Sequence, residues 1–409
     1  MTLKLDYKKI LYVFYMIFII NVPYSLLYTE YYNEFILAFG VIGGILILVT
    51  TIKNDYLDIT FDRAIKGFII PMGLITLCSC IGAFWIHHTD NHSDITQSVL
   101  RWILYCASII IAYVSVKWFR RDAIKLYIIS GLISYVTVYF RFVYYGGLNA
   151  LIHPLSGVFN GVKLEVHNLT YCMGLALIFY ILDREHYSSK FFEIITIILL
   201  LGIIIGNKRT LYLGLVFTLF MYFLFSKFEN SKLQMMKIVF FMYIIGAFTY
   251  LYMIKSGMFS YLIGLLHIND MSRLKFWNYF SDAYKLSPFY IGRGISYVDL
   301  RMAQSETMYR LRITIKTSLH NDLMKAYIGW GFIPFLYYFI NIFFLRVKDF
   351  VKLGLQKNGW KYFVVVSYTF WLYFFDNMLI ANNYNILFFI IWFILMEDRE
   401  YDENLMEEN

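Results

Sequence analysis

Long apolar runs, separated by short polar connections, constrain the fold of this chain more than any other feature. They lie near residues 10–28, 34–51, 67–86, 98–116, 126–145, 167–182, 191–206, 211–226, 238–254, 323–345, 362–381 and 383–396. Because a helix needs about 20 predominantly apolar residues to cross the hydrocarbon of a bilayer, most of these runs are long enough to span it. The last run is short, so it could instead form a re-entrant hairpin with the run before it. We predict an all-α, polytopic integral membrane bundle of about 12 transmembrane helices.

Composition agrees with this fold class and excludes two others. Hydrophobic residues make up 60% of the chain and charged residues 16%, whereas soluble domains carry about 25% charged residues. The formal net charge is +8, but Lys and Arg form short clusters and no continuous basic stripe, so we predict no nucleic-acid partner. Three lysines precede the first apolar run as in a signal peptide. No small-residue cleavage site follows, which predicts a retained first helix.

The distribution of Lys and Arg between the short loops predicts the orientation. Basic clusters at residues 117–125, 227–237 and 346–361 fall on the same side as the N-terminal lysines, which marks that side as cytoplasmic. Both termini are then cytoplasmic. We predict four regions: nine transmembrane helices in 1–254, a long extracytoplasmic loop in 255–320, further transmembrane helices in 321–396 and an acidic cytoplasmic tail in 397–409.

The long loop contains its own structural signals. Five residues recur there at the spacing of one helix face: Leu274, Trp277, Phe280, Ser281 and Tyr284. This spacing predicts an amphipathic helix on the membrane or on the bundle. Pro288 follows it, and the glycines of Gly292–Gly294 predict a turn.

A charged turn between two spans is the first candidate site. Lys208 and Arg209 lie on the predicted outer face, against the usual charge distribution. The planar guanidinium of Arg209 suits bidentate binding of a phosphate, and Lys208 adds a point charge beside it. The alternative is an interfacial turn whose long side chains reach lipid headgroups.

The second candidate site lies where the long loop meets the tenth apolar run. Ser318 is a candidate N-cap, which would place His320 in the first helical turn, where the dipole favours neutral imidazole. A neutral histidine can act as a general base, because histidine side chains titrate near neutral pH. The alternative is a capping or interfacial histidine.

Other charged residues are candidates by position. Arg273 and Arg293 stand out in the basic loop, because the predicted helix and the predicted glycine turn would hold them in place. Arg101, Arg141 and Asp376 lie within apolar runs, where charge is costly. Asp376 could equally form a salt bridge or a helix-end hydrogen bond. The histidines at 87, 88 and 92 match no structural zinc spacing, so we predict no metal site.

Together these features resemble the O-antigen polymerase and O-antigen ligase family of bacterial envelopes. The residues that carry the resemblance are Arg209-Thr210 with Leu213, Arg273 with Trp277, Pro288 with Gly292 and Gly294, and His320-Asn321 with Gly329 and Gly331. The resemblance covers most of the chain in topology and implies a GT-C-like architecture.

The resemblance implies a metal-independent glycosyltransferase that needs no cofactor. Such an enzyme would transfer a glycan from undecaprenyl diphosphate to a sugar hydroxyl. Arg209 and Arg273 would stabilise the leaving diphosphate, and His320 would deprotonate the acceptor. Substrate binding would involve Lys208, Thr210, Trp277, Arg293 and Asn321.

The leading hypothesis is a polymerase of lipid-linked oligosaccharide repeats in O-antigen, capsule or exopolysaccharide synthesis. The alternatives are an O-antigen ligase that transfers glycan to lipid A core or protein, and a transporter or flippase for lipid-linked sugars. The expected partners are the undecaprenyl diphosphate-linked donor and acceptor, membrane lipid, a chain-length regulator and a flippase. The expected location is the bacterial cytoplasmic (inner) membrane, with the active face extracytoplasmic.

Overall fold

A computed structural model describes most of the chain. The described residues are 9–13, 32–54, 57–86, 92–147, 158–159, 162–163, 167–206, 208–228, 231–267, 273–311 and 319–407. Most of the first apolar run lies outside them, as do Ser318, His87 and His88.

The described residues are helical except for short connections and one antiparallel hairpin, in which β1 (Val158–Phe159) pairs with β2 (Val162–Lys163). The first helices are α1 (Tyr32–Asn54), α2 (Ile59–Ala64), α3 (Ile70–Ile81), α4 (His92–Phe119), α5 (Asp122–Gly146), α6 (His167–Leu182), α7 (Ser189–Gly206), α8 (Arg209–Lys227) and α9 (Lys232–Lys255). The later helices are α10 (Met258–Leu265), α11 (Arg273–Ser281), α12 (Tyr297–Met302), α13 (Ser305–Arg310), α14 (Asp322–Trp330), α15 (Phe332–Phe339), α16 (Arg346–Lys352), α17 (Gln356–Tyr373) and α18 (Asn382–Glu407). The π-helical turns Ile65–Ile69, Gly82–Ile86 and Ile340–Leu345 continue α2, α3 and α15.

Five helical segments of the described chain are long and apolar enough to cross a membrane. They are Asn33–Asn54, Ile59–Trp85, Asp94–Phe119, Arg209–Lys227 and Lys232–Lys255. The prediction of an all-α polytopic membrane protein is confirmed, while the number of about 12 spans stays a prediction. The last helix continues to Glu407, beyond the end of its apolar run.

The chain divides into two compact units. The first unit contains Met1–Asp62, Leu104–Phe223 and Ala381–Asn409. The second unit contains Arg63–Ile103 and Leu224–Ile380.

The core of the first unit forms around α6. This helix packs against α5, α7 and α18, and most of its side chains are buried. The hydroxyl of Tyr127 on α5 donates to the carbonyl oxygen of Asn383 on α18 at 2.8 Å. On the α1 side, a methyl group added to Gly40 would lie 2.5 Å from the Cβ of Ala107 on α4. Small residues therefore bring helix backbones close together, as is common between membrane helices.

The core of the second unit is an aromatic cluster. It is formed by side chains of α9, α15, α17 and the π-turn after α15, namely Tyr243, Phe339, Phe343, Phe363 and Phe370. The ring centroids of Tyr243 and Phe370 lie 4.6 Å apart, and Phe339 meets Phe370 edge to face at 5.5 Å. These are favourable aromatic geometries, so the cluster fixes the spans that carry the loop segments described below.

The tenth apolar run is not one continuous helix. Helix α14 ends at Trp330, and Gly331 has a φ of 84°, which interrupts the helix before α15 begins. Gly331 forms an antiparallel bridge with Ile291. The run is broken because its backbone pairs with the loop, a contact that its apolar composition does not reveal.

The turn predicted at Gly292–Gly294 begins only at Gly294, whose carbonyl oxygen accepts from the N–H of Tyr297 at 3.1 Å. Gly292 and Arg293 lie outside regular secondary structure, and Gly294 has a φ of 111°. The backbone N–H groups of Arg293 and Gly294 donate to the carbonyl oxygens of Ile328 and Gly329 at 2.8 and 3.1 Å. The segment therefore satisfies carbonyl groups that the end of α14 would otherwise leave without partners.

Four glycines make this close approach possible, and we call them the glycine seam: Gly292, Gly294, Gly329 and Gly331. A methyl group on Gly292 would collide with the Gly329 carbonyl, and one on Gly329 would lie 2.8 Å from the Gly294 carbonyl oxygen. The four glycines among the residues that carried the family resemblance thus share one structural role. They fix the loop against the C-terminal end of α14.

Candidate functional site

His320 forms a hydrogen-bonded pair with Asp376. Its Nδ1 lies 3.2 Å from Asp376 Oδ1. The histidine side chain is 31% exposed and the aspartate side chain 6% exposed. Because a carboxylate only accepts hydrogen bonds, the Nδ1–H of a neutral ring donates to Asp376, and the lone pair is then on Nε2. The amide nitrogen of Asn377 lies farther from Nδ1, at 3.4 Å, so the contact with Asp376 favours the tautomer that a general base requires.

The backbone around His320 differs from the sequence prediction. Helix α14 starts at Asp322, and Asn321 is its N-cap, whose side chain accepts from the N–H of Met324 at 3.0 Å. Ser318 lies outside the described residues, and the N-cap position that we predicted for it is occupied by Asn321. His320 therefore precedes the helix instead of lying in its first turn, with a φ of 50°.

Two chain segments hold the pair in register. The backbone N–H of Asp322 donates to the carbonyl oxygen of Asp376 at 3.2 Å. The N–H of Leu379 donates to Asp322 Oδ2 at 2.7 Å. The Asp376 carboxylate also accepts from the N–H of Asn377 at 2.9 Å. These bonds place the residues after α17 alongside the start of α14.

Helix α11 braces both segments from one side. This is the amphipathic helix predicted in the long loop, and Phe276, Trp277, Phe280 and Ser281 are its buried residues. The indole Nε1 of Trp277 donates to the carbonyl oxygen of Leu319, and Arg273 Nη1 donates to that of Phe375, each at 3.0 Å. The two acceptor residues directly precede His320 and Asp376, so α11 fixes the separation of the pair.

Two other predicted binding residues in this unit are engaged within the protein. The amide of Asn321 is fully buried and donates to the hydroxyl of Tyr250 at 3.0 Å. Arg293 donates from Nε to the carbonyl oxygen of Ala283 at 2.6 Å, and its guanidinium lies over the ring of Tyr297. Arg293 remains partly exposed.

A chain of charges connects the site to α4. Asp299 on α12 bridges two cations: Arg101 Nη2 lies 2.6 Å from Oδ2, and Lys325 Nζ lies 2.9 Å from Oδ1. Although burial alone would raise the pKa of Asp299, Lys325 and Arg101 lower it to about 2. Arg101, which the sequence left without a role, therefore has a counter-charge inside the second unit.

The charged turn lies in the first unit. Helix α8 starts at Arg209, whose side chain is exposed, and Lys208 directly precedes it. The hydroxyl of Thr210 lies 2.7 Å from that of Tyr171 on α6. An exposed arginine at the start of a helix is suited to an anion, since the helix dipole adds to its charge. The side chain of Arg141 is not among those described.

One group of side chains within the described part of the chain has the spacing of a metal site. Ligand atoms of Asp183, Glu185 and His186 lie within 4.8 Å of one another. Asp183 also forms a salt bridge with Arg121 and a hydrogen bond with His186. These partners account for its charge, so the group has the character of an ion-pair cluster.

Sequence reasoning missed the partners of His320 and the charged groups near them. Asp376 was identified as costly charge within an apolar run, but the run gives no sign of what it faces. Lys325, Asn377 and Asp299 were not identified at all. In the sequence they are only polar residues next to apolar segments, and such a pattern does not specify contacts between distant parts of a chain.

The comparison with protein families identifies one related family. Residues 194–339 match the sequence model of the O-antigen ligase family. The residues predicted for catalysis and substrate binding lie within that stretch, whereas Arg101, Arg141 and Asp376 lie outside it. The match supports assignment of the chain to the O-antigen polymerase and ligase family, so the resemblance found in the sequence is confirmed. Comparison with curated protein sequences gives no match.

Proposed function

We propose, from its assignment to the O-antigen polymerase and ligase family, that this membrane-embedded protein polymerises lipid-linked oligosaccharide repeats. The donor is a glycan on undecaprenyl diphosphate, and the product belongs to an O-antigen, capsule or exopolysaccharide. The observation that carries the proposal is the His320–Asp376 pair, in which Nδ1 and Oδ1 lie 3.2 Å apart. Such a pair is the arrangement of a general base and the group that orients it.

In the proposed reaction, Nε2 of His320 accepts the proton of an acceptor sugar hydroxyl. The hydroxyl oxygen attacks the anomeric carbon of the donor, and the bond from that carbon to the diphosphate oxygen breaks. Undecaprenyl diphosphate leaves with the electron pair of that bond. The carboxylate of Asp376 stabilises the imidazolium that forms, and the displacement inverts the anomeric carbon.

The developing charge on the diphosphate needs cations. In the second unit we assign this role to Arg273, with Arg293 as a further binding group. For Arg209, Lys208 and Thr210 of the first unit, the same role is proposed from the family resemblance alone. Arg273 uses Nη1 for the Phe375 carbonyl, which fixes the direction of its guanidinium.

Trp277 and Asn321 are better suited to positioning than to substrate contact. The Trp277 side chain is 3% exposed and Asn321 is 0% exposed. Their polar groups hydrogen-bond within the protein. We therefore propose that they hold His320 in place.

Transfer to lipid A core or to protein is the second candidate, because the matching family is described as O-antigen ligase. A ligase shares the donor and the base with a polymerase and differs in the acceptor. The acceptor that extends the glycan therefore distinguishes the two activities.

The experiment is reconstitution of the purified protein in liposomes with its host's undecaprenyl diphosphate oligosaccharide. A ladder of longer lipid-linked glycans supports the polymerase. Extension only when lipid A core or protein is added supports the ligase. Unextended substrate that crosses the bilayer would overturn the catalytic proposal in favour of a transporter.

The matched variant is His320→Asn, because asparagine tolerates the left-handed backbone that Ala resists. Its control is His267→Asn, since His267 is an exposed loop histidine with the same φ of 50°. We expect His320→Asn to lose about 10²- to 10⁴-fold in turnover and the control to lose none. Full activity in His320→Asn would reject the base.

A further inference from the structure

Lys325 is a buried cation next to the catalytic pair. It lies in the first turn of α14 with its side chain 5% exposed. Its Nζ lies 2.9 Å from Asp299 Oδ1 and 3.5 Å from Asn377 Oδ1. Asn377 directly follows Asp376 and donates its backbone N–H to Asp376 Oδ1 at 2.9 Å. The ammonium is therefore separated from the orienting carboxylate by a single residue.

Other carboxylates compete for this cation. A buried ammonium needs a counter-charge, because it has lost its hydration. Asp322 is on the same turn of α14, is 1% exposed, and has an Oδ1 without a hydrogen-bond partner among the described residues. Asp376 is the next carboxylate along the path through Asn377. Lys325 nevertheless pairs with Asp299, which Arg101 holds from the other side at 2.6 Å.

We infer that Asp299 is a positioning residue that sequesters Lys325, so that the Asp376 carboxylate stays available to His320. The inference rests on the proposed function for its effect on turnover. Arg101 contributes by fixing Asp299, since it occupies the second carboxylate oxygen. The chain of charges thus controls which partner Asp376 has.

Loss of Asp299 has a specific consequence. In Asp299→Asn the ammonium loses its counter-charge and turns toward Asp376, because opposite charges attract strongly at low dielectric. Asp376 then no longer orients the Nδ1–H of His320. We expect the turnover of Asp299→Asn to fall and its substrate affinity to remain unchanged, because the cations assigned to the diphosphate are not altered. Removing Lys325 as well eliminates the competing cation and restores the pair.

The test compares Asp299→Asn, Asp299→Glu and the double variant Asp299→Asn/Lys325→Met in the liposome assay. We expect kcat of Asp299→Asn to fall about tenfold or more with KM changed by less than about twofold. Asp299→Glu and the double variant recover most of the wild-type kcat. A wild-type kcat in Asp299→Asn would overturn the inference. So would a double variant as slow as Asp299→Asn, because purely structural damage accumulates.

The control is Glu306→Gln, which breaks the exposed Glu306–Arg310 pair of the same unit and leaves kcat unchanged. If Asp299→Asn does not fold, the single variant Lys325→Met tests the inference. We expect Lys325→Met to keep most of the wild-type kcat. A loss of kcat as large as that of His320→Asn would overturn the inference.

A second readout does not depend on activity. In protein labelled with ¹⁵N-histidine, the Nδ1–H signal that His320→Asn removes identifies the bond to Asp376. We expect Asp299→Asn to lose this signal and the double variant to regain it. An unchanged signal in Asp299→Asn rejects the inference. A wild-type protein that shows the signal but forms no ladder rejects the proposed function instead.

Discussion

The indole of Trp277 and the backbone of Leu319 are joined by a hydrogen bond from Nε1 to the carbonyl oxygen at 3.0 Å. The bond fixes the residue that precedes His320. Arg273, on the same helix, holds the residue that precedes Asp376. One helix therefore sets the distance between the proposed base and the group that orients it.

Trp277→Phe should separate this bond from the packing of the ring. The phenyl ring keeps most of the buried contacts, but the Leu319 carbonyl loses its donor. We expect the free energy of unfolding to fall by about 1 kcal/mol and kcat to fall several-fold. Melting temperature and the initial rate of ladder formation measure these effects. Trp85→Phe is the control, since Trp85 is 67% exposed, and an equal loss in both variants would contradict the role of the bond.

Arg209→Lys tests whether the planar guanidinium group of Arg209 is needed at the charged turn. Lysine keeps the positive charge but cannot bind a phosphate through two parallel hydrogen bonds. We expect kcat/KM to fall about tenfold to a hundredfold, the equivalent of one lost charged hydrogen bond. Arg310→Lys is the matched control, because Arg310 is 62% exposed in a surface ion pair. Near-normal activity in Arg209→Lys would reduce Arg209 to an interfacial anchor.

Gly292→Ala tests the glycine seam. The added methyl group would collide with the backbone of Gly329 and Trp330, which cannot move aside as a side chain can. We expect a loss of about 3 kcal/mol or more in stability, seen as a lower melting temperature. Gly246→Ala is the control, because no atom lies within 4 Å of its added methyl group. Equal melting temperatures in the two variants would mean that the seam does not hold the loop.

The helices could be predicted well because their apolar periods are local. The runs at 167–182 and 191–206 correspond to α6 and α7 almost residue for residue. The break at Gly331 could not be predicted, because the apolar run continues through it. What breaks the helix is pairing with Ile291, and sequence patterning carries no information on such distant backbone contacts.

The residues of the candidate site could be predicted from their type and position, but their hydrogen-bond partners could not. His320 and Arg209 stand out because charge at a membrane edge is costly. Trp277 lies on helix α11, and its indole donates to a backbone carbonyl of the protein, a contact that the sequence pattern does not indicate. Four helices, α14 to α17, lie in the chain between His320 and its partner Asp376. Only the packing of α14 against the residues after α17 brings Asp376 to it.

Stability in acid should report the Asp299 bridge. Lys325 and Arg101 hold the pKa of Asp299 at about 2 against the effect of burial, whereas an aspartate in an unfolded chain has a pKa of about 3.9. A lowered pKa contributes stability that is present above about pH 4 and is lost as the pH falls through about 2. The difference corresponds to about 2.6 kcal/mol.

We therefore expect the melting temperature of the wild-type protein in detergent to fall between about pH 4 and pH 2 more steeply than that of Asp299→Asn, which has no proton to bind. Tryptophan fluorescence during heating measures both. Glu306→Gln should follow the wild-type curve, because the Glu306 side chain is 67% exposed and its ion pair is screened by solvent. Parallel curves for the wild type and Asp299→Asn would show that the bridge does not set the acid stability of this unit.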